Sequence, residues 1–220
     1  MGEKSLHDAI KQWIARPDDQ LEADVDGYVI DIVRGDLLIE IQTGNFSALK
    51  SKLESLTKRH AVRIVHPIAE QKWIVRVAAD GETVLSRRRS PKRGRIEELF
   101  YELVYMPELL RSPNLSLEVL LIRSEEVLIH DGRGSWRRRG WSIHDRRLLE
   151  VVDRVVFSTP SDLLVLLPKS LPKQFTVKDL AEASNLRPAN AQKMAYTLRH
   201  MGELSVTGKR GRALLYSREE

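Results

Sequence analysis

The chain has no cysteine, which excludes disulfides, thiolate nucleophiles and cysteine-held zinc or iron–sulfur centres. It has no apolar run near the ~20 residues that span a bilayer; the longest lies around Leu163–Pro168, so a membrane protein is not expected. The N-terminus, Met1-Gly2-Glu3-Lys4-Ser5, lacks the apolar core of a secretion signal, and a cytoplasmic protein is expected. None of the six histidines has a metal-ligand spacing such as H-E-x-x-H. No Ser-His-Asp pattern stands out. Gly132-Arg-Gly134 and Gly208-Lys-Arg-Gly211 lack the length and the strand-to-helix setting of a phosphate loop, so no nucleotide cofactor is expected.

What is present fits a folded protein. The 220 residues are 42% hydrophobic and 30% charged, enough for one large domain or two small ones. The net charge is +5, with a pI near 9.5. The basic excess is concentrated. Arg87, Arg88, Arg89, Lys92, Arg93 and Arg95 occur without an acid, and residues 133–147 carry six arginines against Asp145 alone. Such patches suit a polyanion, of which nucleic acid is the commonest. Trp136 and Trp141, interleaved with Arg137, Arg138 and Arg139, suit either base stacking or a core position with a basic rim.

Leu6, Ile10, Trp13 and Ile14 form one stripe of a helix that Pro17 terminates. Tyr28–Val33 and Leu37–Gln42 flank Arg34-Gly35-Asp36 and predict an antiparallel hairpin. Asn45 or Ser47 can cap a helix that buries Phe46, Leu49, Leu53 and Leu56. Ala61–Val65 is a strand ending at Pro67, and Trp73–Val77 with Thr83–Leu85 is a second hairpin turning at Asp80-Gly81. A helix over Ile96–Tyr105 and strands over Leu117–Ile122, Val127–Ile129 and Leu148–Phe157 follow. Whether this stretch extends the first sheet or forms its own unit is open. Residues 1–90 thus form an α/β core, 91–170 a β-rich extension or middle subdomain, and 171–220 a third unit.

In the first hairpin Asp31 and Glu40 are equidistant from the turn. Opposed strand residues have Cβ atoms ~5 Å apart. Glu40 and Gln42 share one face, and Ile30, Ile32, Ile39 and Ile41 are expected to share the other. Two carboxylates this close repel unless something positive lies between them. A hard divalent cation, Mg²⁺ or Mn²⁺, suits oxygen donors and bridges to phosphate.

These features resemble the PD-(D/E)xK, or restriction-endonuclease-like, nuclease superfamily. The resemblance rests on Gly2-Glu3-Lys4-Ser5-Leu6-His7, Tyr28-Val-Ile-Asp31-Ile-Val and Leu38-Ile-Glu40-Ile-Gln42-Thr-Gly, and covers about residues 3–67. It implies a mixed sheet flanked by helices, with Asp31 and Glu40 as metal ligands. Gln42 falls where the family usually has lysine, and glutamine cannot deprotonate water. Lys50 or Lys52 on the next helix could supply the displaced cation. Glu3 matches an accessory acid, and Asp26 is a rival to Asp31.

The last fifty residues read as helix, turn, helix and basic hairpin, the layout of a winged helix–turn–helix. Thr176 caps the first helix, Leu186 plugs the turn, and Pro188 starts the second, which runs to about Met201 before Gly202. The second helix offers Asn190, Gln192, Lys193, Thr197 and Arg199 to DNA, and the hairpin tip offers Lys209, Arg210 and Arg212. The expected partners are DNA and a second copy of the chain. The expected activity is metal-dependent hydrolysis of DNA phosphodiesters, with a non-catalytic DNA-binding regulator as the alternative.

Overall fold

The first helix and hairpin form where the apolar periodicity places them. The computed structural model describes residues 4–134, 136 and 139–218; Glu3, Arg137 and Arg138 lie outside these. Helix α1 (Lys4–Ile14) buries Leu6 and Ile10, whereas Trp13 remains half exposed. Strands β1 (Gln20–Val25), β2 (Tyr28–Arg34) and β3 (Leu37–Ile41) form an antiparallel meander. The β1–β2 turn uses Asp26 and Gly27, both at positive φ (53° and 80°), the two-residue turn that suits strand twist. Strand β1 has no apolar run to announce it, because Gln20, Glu22 and Asp24 interrupt the pattern.

A crossover holding a 3-10 turn (Phe46–Leu49) and α2 (Lys50–Leu56) leads to β4 (Ala61–Val77), which lies parallel to β3. Asn45 sits in the left-handed region (φ 58°) and its side chain does not cap the turn. Strand β4 runs through Pro67 instead of ending there and joins the two strands expected on either side of it. On one edge β4 pairs with β3 over 61–65 and with β5 (Val84–Arg89) over 73–77, leaving a gap in which the missing proline N–H costs nothing. On its other edge β4 pairs in parallel with β6 (Leu115–His130), which pairs antiparallel with β7 (Trp141–Phe157). Residues 91–170 therefore extend the first sheet. The result is a seven-stranded mixed sheet, β1-β2-β3-β4-β6-β7 with β5 on β4.

The segment after β5 fills the gap along β4. Ser90 N–H donates to Lys72 O (2.8 Å) and Gly94 N–H to Ala69 O (2.9 Å). A Cβ at position 94 would lie 2.4 Å from that same oxygen, so only glycine fits.

Helices flank both faces. Leu6 and Ile10 of α1 pack on Ile32, Ile39, Ile41, Val65 and Leu120. On the other face Leu53 and Leu56 of α2 and Phe100 and Leu103 of α3 (Phe100–Leu103) pack on Ile30, Leu38, Val62 and Ile64. Ile30 and Ile32 thus lie in clusters on opposite faces, against the simple alternation, so the pleat breaks at Asp31.

The larger cluster continues into the C-terminal region through Phe175, Leu180, Met194, Leu198 and Tyr216. That region consists of β8 (Gln174–Phe175), α4 (Val177–Ser184), α5 (Pro188–Met201), β9 (Leu204–Arg210) and β10 (Ala213–Arg218), with strand order β8-β10-β9. Thr176 caps α4 in a reciprocal bond with Asp179, and Gly202 ends α5 at φ 89°. Among the described residues no helix is long and apolar enough to cross a membrane.

Candidate active site

Asp31 lies where two ladders fail. The β1–β2 ladder skips Glu22 and Asp31, and Glu22 sits at positive φ (52°). The β2–β3 ladder covers only Ile32–Arg34 and Leu37–Ile39, so Asp31 and Glu40 stand one step past its last pair. Asp31 Oδ2 accepts from the Ile41 N–H (2.8 Å), a side chain standing in for a missing ladder bond. A cleft of about 430 Å³ opens there, lined by His7, Asp31, Glu40, Gln42, Thr43 and neighbouring backbone.

Each acid has a basic partner, brought from opposite faces. His7 Nε2 of α1 is 3.1 Å from Asp31 Oδ2. Lys52 Nζ of α2 is 2.7 Å from Glu40 Oε1 and donates to Val29 O (2.6 Å), a carbonyl beside the ladder break. The hydrogen bond to Asp31 raises the His7 pKa. Burial pushes Asp31 up, but the bonds from His7 and the Ile41 N–H outweigh it, and its pKa falls below the ordinary value. Glu40 is almost fully buried (5% exposed), and burial raises its pKa despite Lys52. Two carboxylates with opposite shifts thus share one cleft, a pattern common at functional sites.

The other expected residues are placed as follows. Gln42 lines the cleft, but its side-chain amide is turned onto the next turn, donating to the carbonyls of Gly44 and Asn45, while its backbone carbonyl accepts from His66 Nδ1. Burial lowers the His66 pKa, so it donates as neutral imidazole. Lys50 pairs loosely with Glu54 on the exposed side of α2 (3.9 Å), which leaves Lys52 as the cation at the acids. Asp26 does not join the site: it lies in the β1–β2 turn, 2.9 Å from His60. His7 closes the Gly2–His7 motif quoted for the resemblance, but that motif gives it no role; its pairing with Asp31 emerges only from the packing of α1 on the sheet.

Among the described residues no three His, Asp or Glu side chains converge on a point that could hold an ion. Asp31 and Glu40 are nevertheless hard oxygen donors beside an open cleft. That set suits Mg²⁺, which binds through one or two carboxylates, waters and substrate phosphate.

Helix α5 departs from its expected role. Asn190 and Thr197, read as part of a polar outer face, are buried (3% and 0% exposed), because α5 packs on α3 and the turn before it. Lys193 Nζ lies over the rings of Tyr101 (5.6 Å) and Tyr105 (5.5 Å). Gln192 and Arg199 face solvent, as do Lys209, Arg210 and Arg212 at the hairpin tip, with Arg210 bonded to Asp179 (3.0 Å).

A family model described as a domain of unknown function, DUF8091, matches residues 4–158, the span of the large sheet. An uncharacterized protein of Treponema pallidum (strain Nichols) is 31% identical over 218 residues, covering 99% of this chain and 86% of that protein. No solved structure matches.

Proposed function

The chain belongs to the DUF8091 family, and we propose that it is a metal-dependent DNA nuclease with a restriction-endonuclease-like sheet and a C-terminal winged helix. One observation carries this reading: Lys52 reaches from α2 to within 2.7 Å of Glu40 in the cleft that Asp31 shares. The cation missing at Gln42 is thereby supplied from the next element.

Asp31 and Glu40 would hold Mg²⁺ or Mn²⁺. When bound, the ion supplies neutralisation of the scissile phosphate and a water of lowered pKa. The chain's own groups do the rest. His7 fixes the orientation of the Asp31 carboxylate. Lys52 is the group that can pass from Glu40 to the charge developing on phosphate. Gln42 holds the turn at 43–45 that forms one wall of the cleft. The hairpin tip, with Lys209, Arg210 and Arg212, contacts the duplex backbone, and Gln192 and Arg199 add to it.

A DNA-binding protein without chemistry is the second reading. It is favoured by the fact that each acid already has a partner, Asp31 in His7 and Glu40 in Lys52. Supercoiled plasmid decides between them. Nicking in Mg²⁺ or Mn²⁺ that stops with EDTA and with Glu40→Gln supports the nuclease. Plasmid retardation without nicking, in the wild type and in Glu40→Gln alike, supports the binding protein.

A further inference from the structure

The acid cleft is one end of a longer depression. Thr43 lines both that cleft and a hollow of about 250 Å³ bordered by His66, Lys72, Lys92 and Tyr101. Lys92, Glu98 and Tyr101 in turn line both this hollow and a third cleft of about 500 Å³, between the large sheet's 92–101 segment and the start of α5. The depression thus runs from Asp31 and Glu40 along the gap in β4 to the N-terminus of α5.

The far cleft is basic and built. Arg93 and Arg187 line it with no acid partner among the described residues, Lys92 pairs with Glu98 (3.0 Å), and Arg95 ties the sheet to the end of α4 through Ser184 O (2.9 Å). Asn190 also lines it. Its side chain is 97% buried, and its amide makes no hydrogen bond to any described residue; its Oδ1 in particular is buried without a partner. Unpaired buried polar groups are rare and call for a ligand or water. The same point is the start of a fourteen-residue helix whose N-cap, Arg187, supplies no side-chain cap. That start offers an anion few free N–H groups, since Pro188 has none and those of Asn190 and Ala191 already donate to Arg187 O (2.9 and 3.1 Å), so the two arginines carry the charge of this cleft.

We propose that this cleft holds a backbone phosphate of a single DNA strand whose scissile phosphate lies at Asp31 and Glu40. Arg93 and Arg187 neutralise the phosphate, and Asn190 Oδ1, an acceptor, takes a base N–H of the same strand and not the phosphate itself. The inference rests on the nuclease reading for the near end of the track only. It gives the start of α5 the task of receiving the strand at Arg187 and Asn190, while Thr197, two turns further on, is packed inward.

The test is binding of a fluorescein-labelled twelve-residue oligodeoxythymidylate, followed by anisotropy in EDTA so that no chemistry intervenes. Arg93→Glu with Arg187→Glu should weaken binding at least ~10-fold and flatten the salt dependence by about 0.7 in slope, the worth of one strand phosphate. Lys58→Glu with Lys169→Glu, the same charge change at exposed positions elsewhere, should cost less than about threefold. If both pairs weaken binding alike, or neither does, the proposal is overturned. Should charge reversal unfold the chain, Arg93→Gln with Arg187→Gln is read in the same way. Plasmid cleavage by the wild type is followed in parallel. Selective loss of binding with no wild-type cleavage keeps the strand site and removes the nuclease reading; cleavage without selective loss does the reverse.

Discussion

Two buried glutamates in the same sheet have opposite settings. Glu118 on β6 lies between Arg154 on β7 (3.0 Å) and Arg63 on β4 (3.5 Å), with its side chain only 4% exposed. Glu40 on β3 has a single cation, Lys52, arriving from a helix, and a cleft beside it. Guanidinium groups on neighbouring strands are planar and preorganised, whereas a lysine ammonium is a point charge on a flexible stem. An acid enclosed by two strand arginines can only hold the sheet together. An acid with one movable partner and an open side can exchange that partner for a ligand.

The largest effect should come from breaking the enclosed glutamate. Glu118→Ala leaves two arginines without their carboxylate and should cost about 3–5 kcal/mol of stability. A denaturant midpoint unchanged from wild type would remove Glu118 from the list of structural acids. Lys52→Met should cost about 2–3 kcal/mol at pH 7, because it strands a buried carboxylate. The sign with pH follows from Glu40. Its folded pKa is raised, so its favourable contribution is complete below the unfolded value of about 4.5 and is lost as pH rises through the folded value. Removing Lys52 raises that folded value further. The Lys52→Met deficit should therefore shrink at pH 5, and a deficit that is flat between pH 5 and pH 7 would show that Lys52 does not act through Glu40.

A smaller effect sharpens the open side of the comparison. Mg²⁺ or Mn²⁺ at about ten times its dissociation constant should raise stability by roughly 1.4 kcal/mol, seen as a higher Tm. The shift should vanish in Glu40→Gln and survive in a variant at exposed Asp36. An equal shift in wild type and Glu40→Gln would mean the ion binds elsewhere. The smallest effect belongs to His7 and Asp31, a partly exposed pair worth about 0.5–1 kcal/mol. The His7 folded pKa is raised, so its contribution is full below about 6.5 and fades as pH rises through the folded value. Asp31, lowered, contributes above about 3.8 and loses its contribution as pH falls through its folded value. His7→Gln should abolish the decline in Tm on the alkaline side; a decline that persists would assign it to another group.

The parts of the site that were legible are the local ones. The β2–β3 register follows from period-two alternation about Gly35, and it places Asp31 beside Glu40 without knowledge of anything else. Lys52 could be named from the missing charge at Gln42. The break in the pleat at Asp31 could not be read, because it comes from Glu22 on a strand with no apolar signature. Nor could the continuity of β4 through Pro67, which depends on two other strands leaving a gap beside it. Asn190 and Thr197 were misplaced for the same reason. Helical periodicity gives the width of a polar face, but whether that face meets water depends on α3, ninety residues earlier.

Gly94 shows how far such non-local dependence reaches. It carries no charge and lines neither the acid pair nor the α5 end of the depression. Yet the segment bearing Lys92, Arg93 and Arg95 rests on the β4 backbone at Gly94, and a methyl group there would meet Ala69 O at 2.4 Å. Even Gly94→Ala would force that basic strip to lift, carrying Lys92, Arg93 and Arg95 away from the cleft they line. The electric field along this surface is therefore set by a steric contact, and a neutral substitution at a glycine can alter it as a charge reversal would.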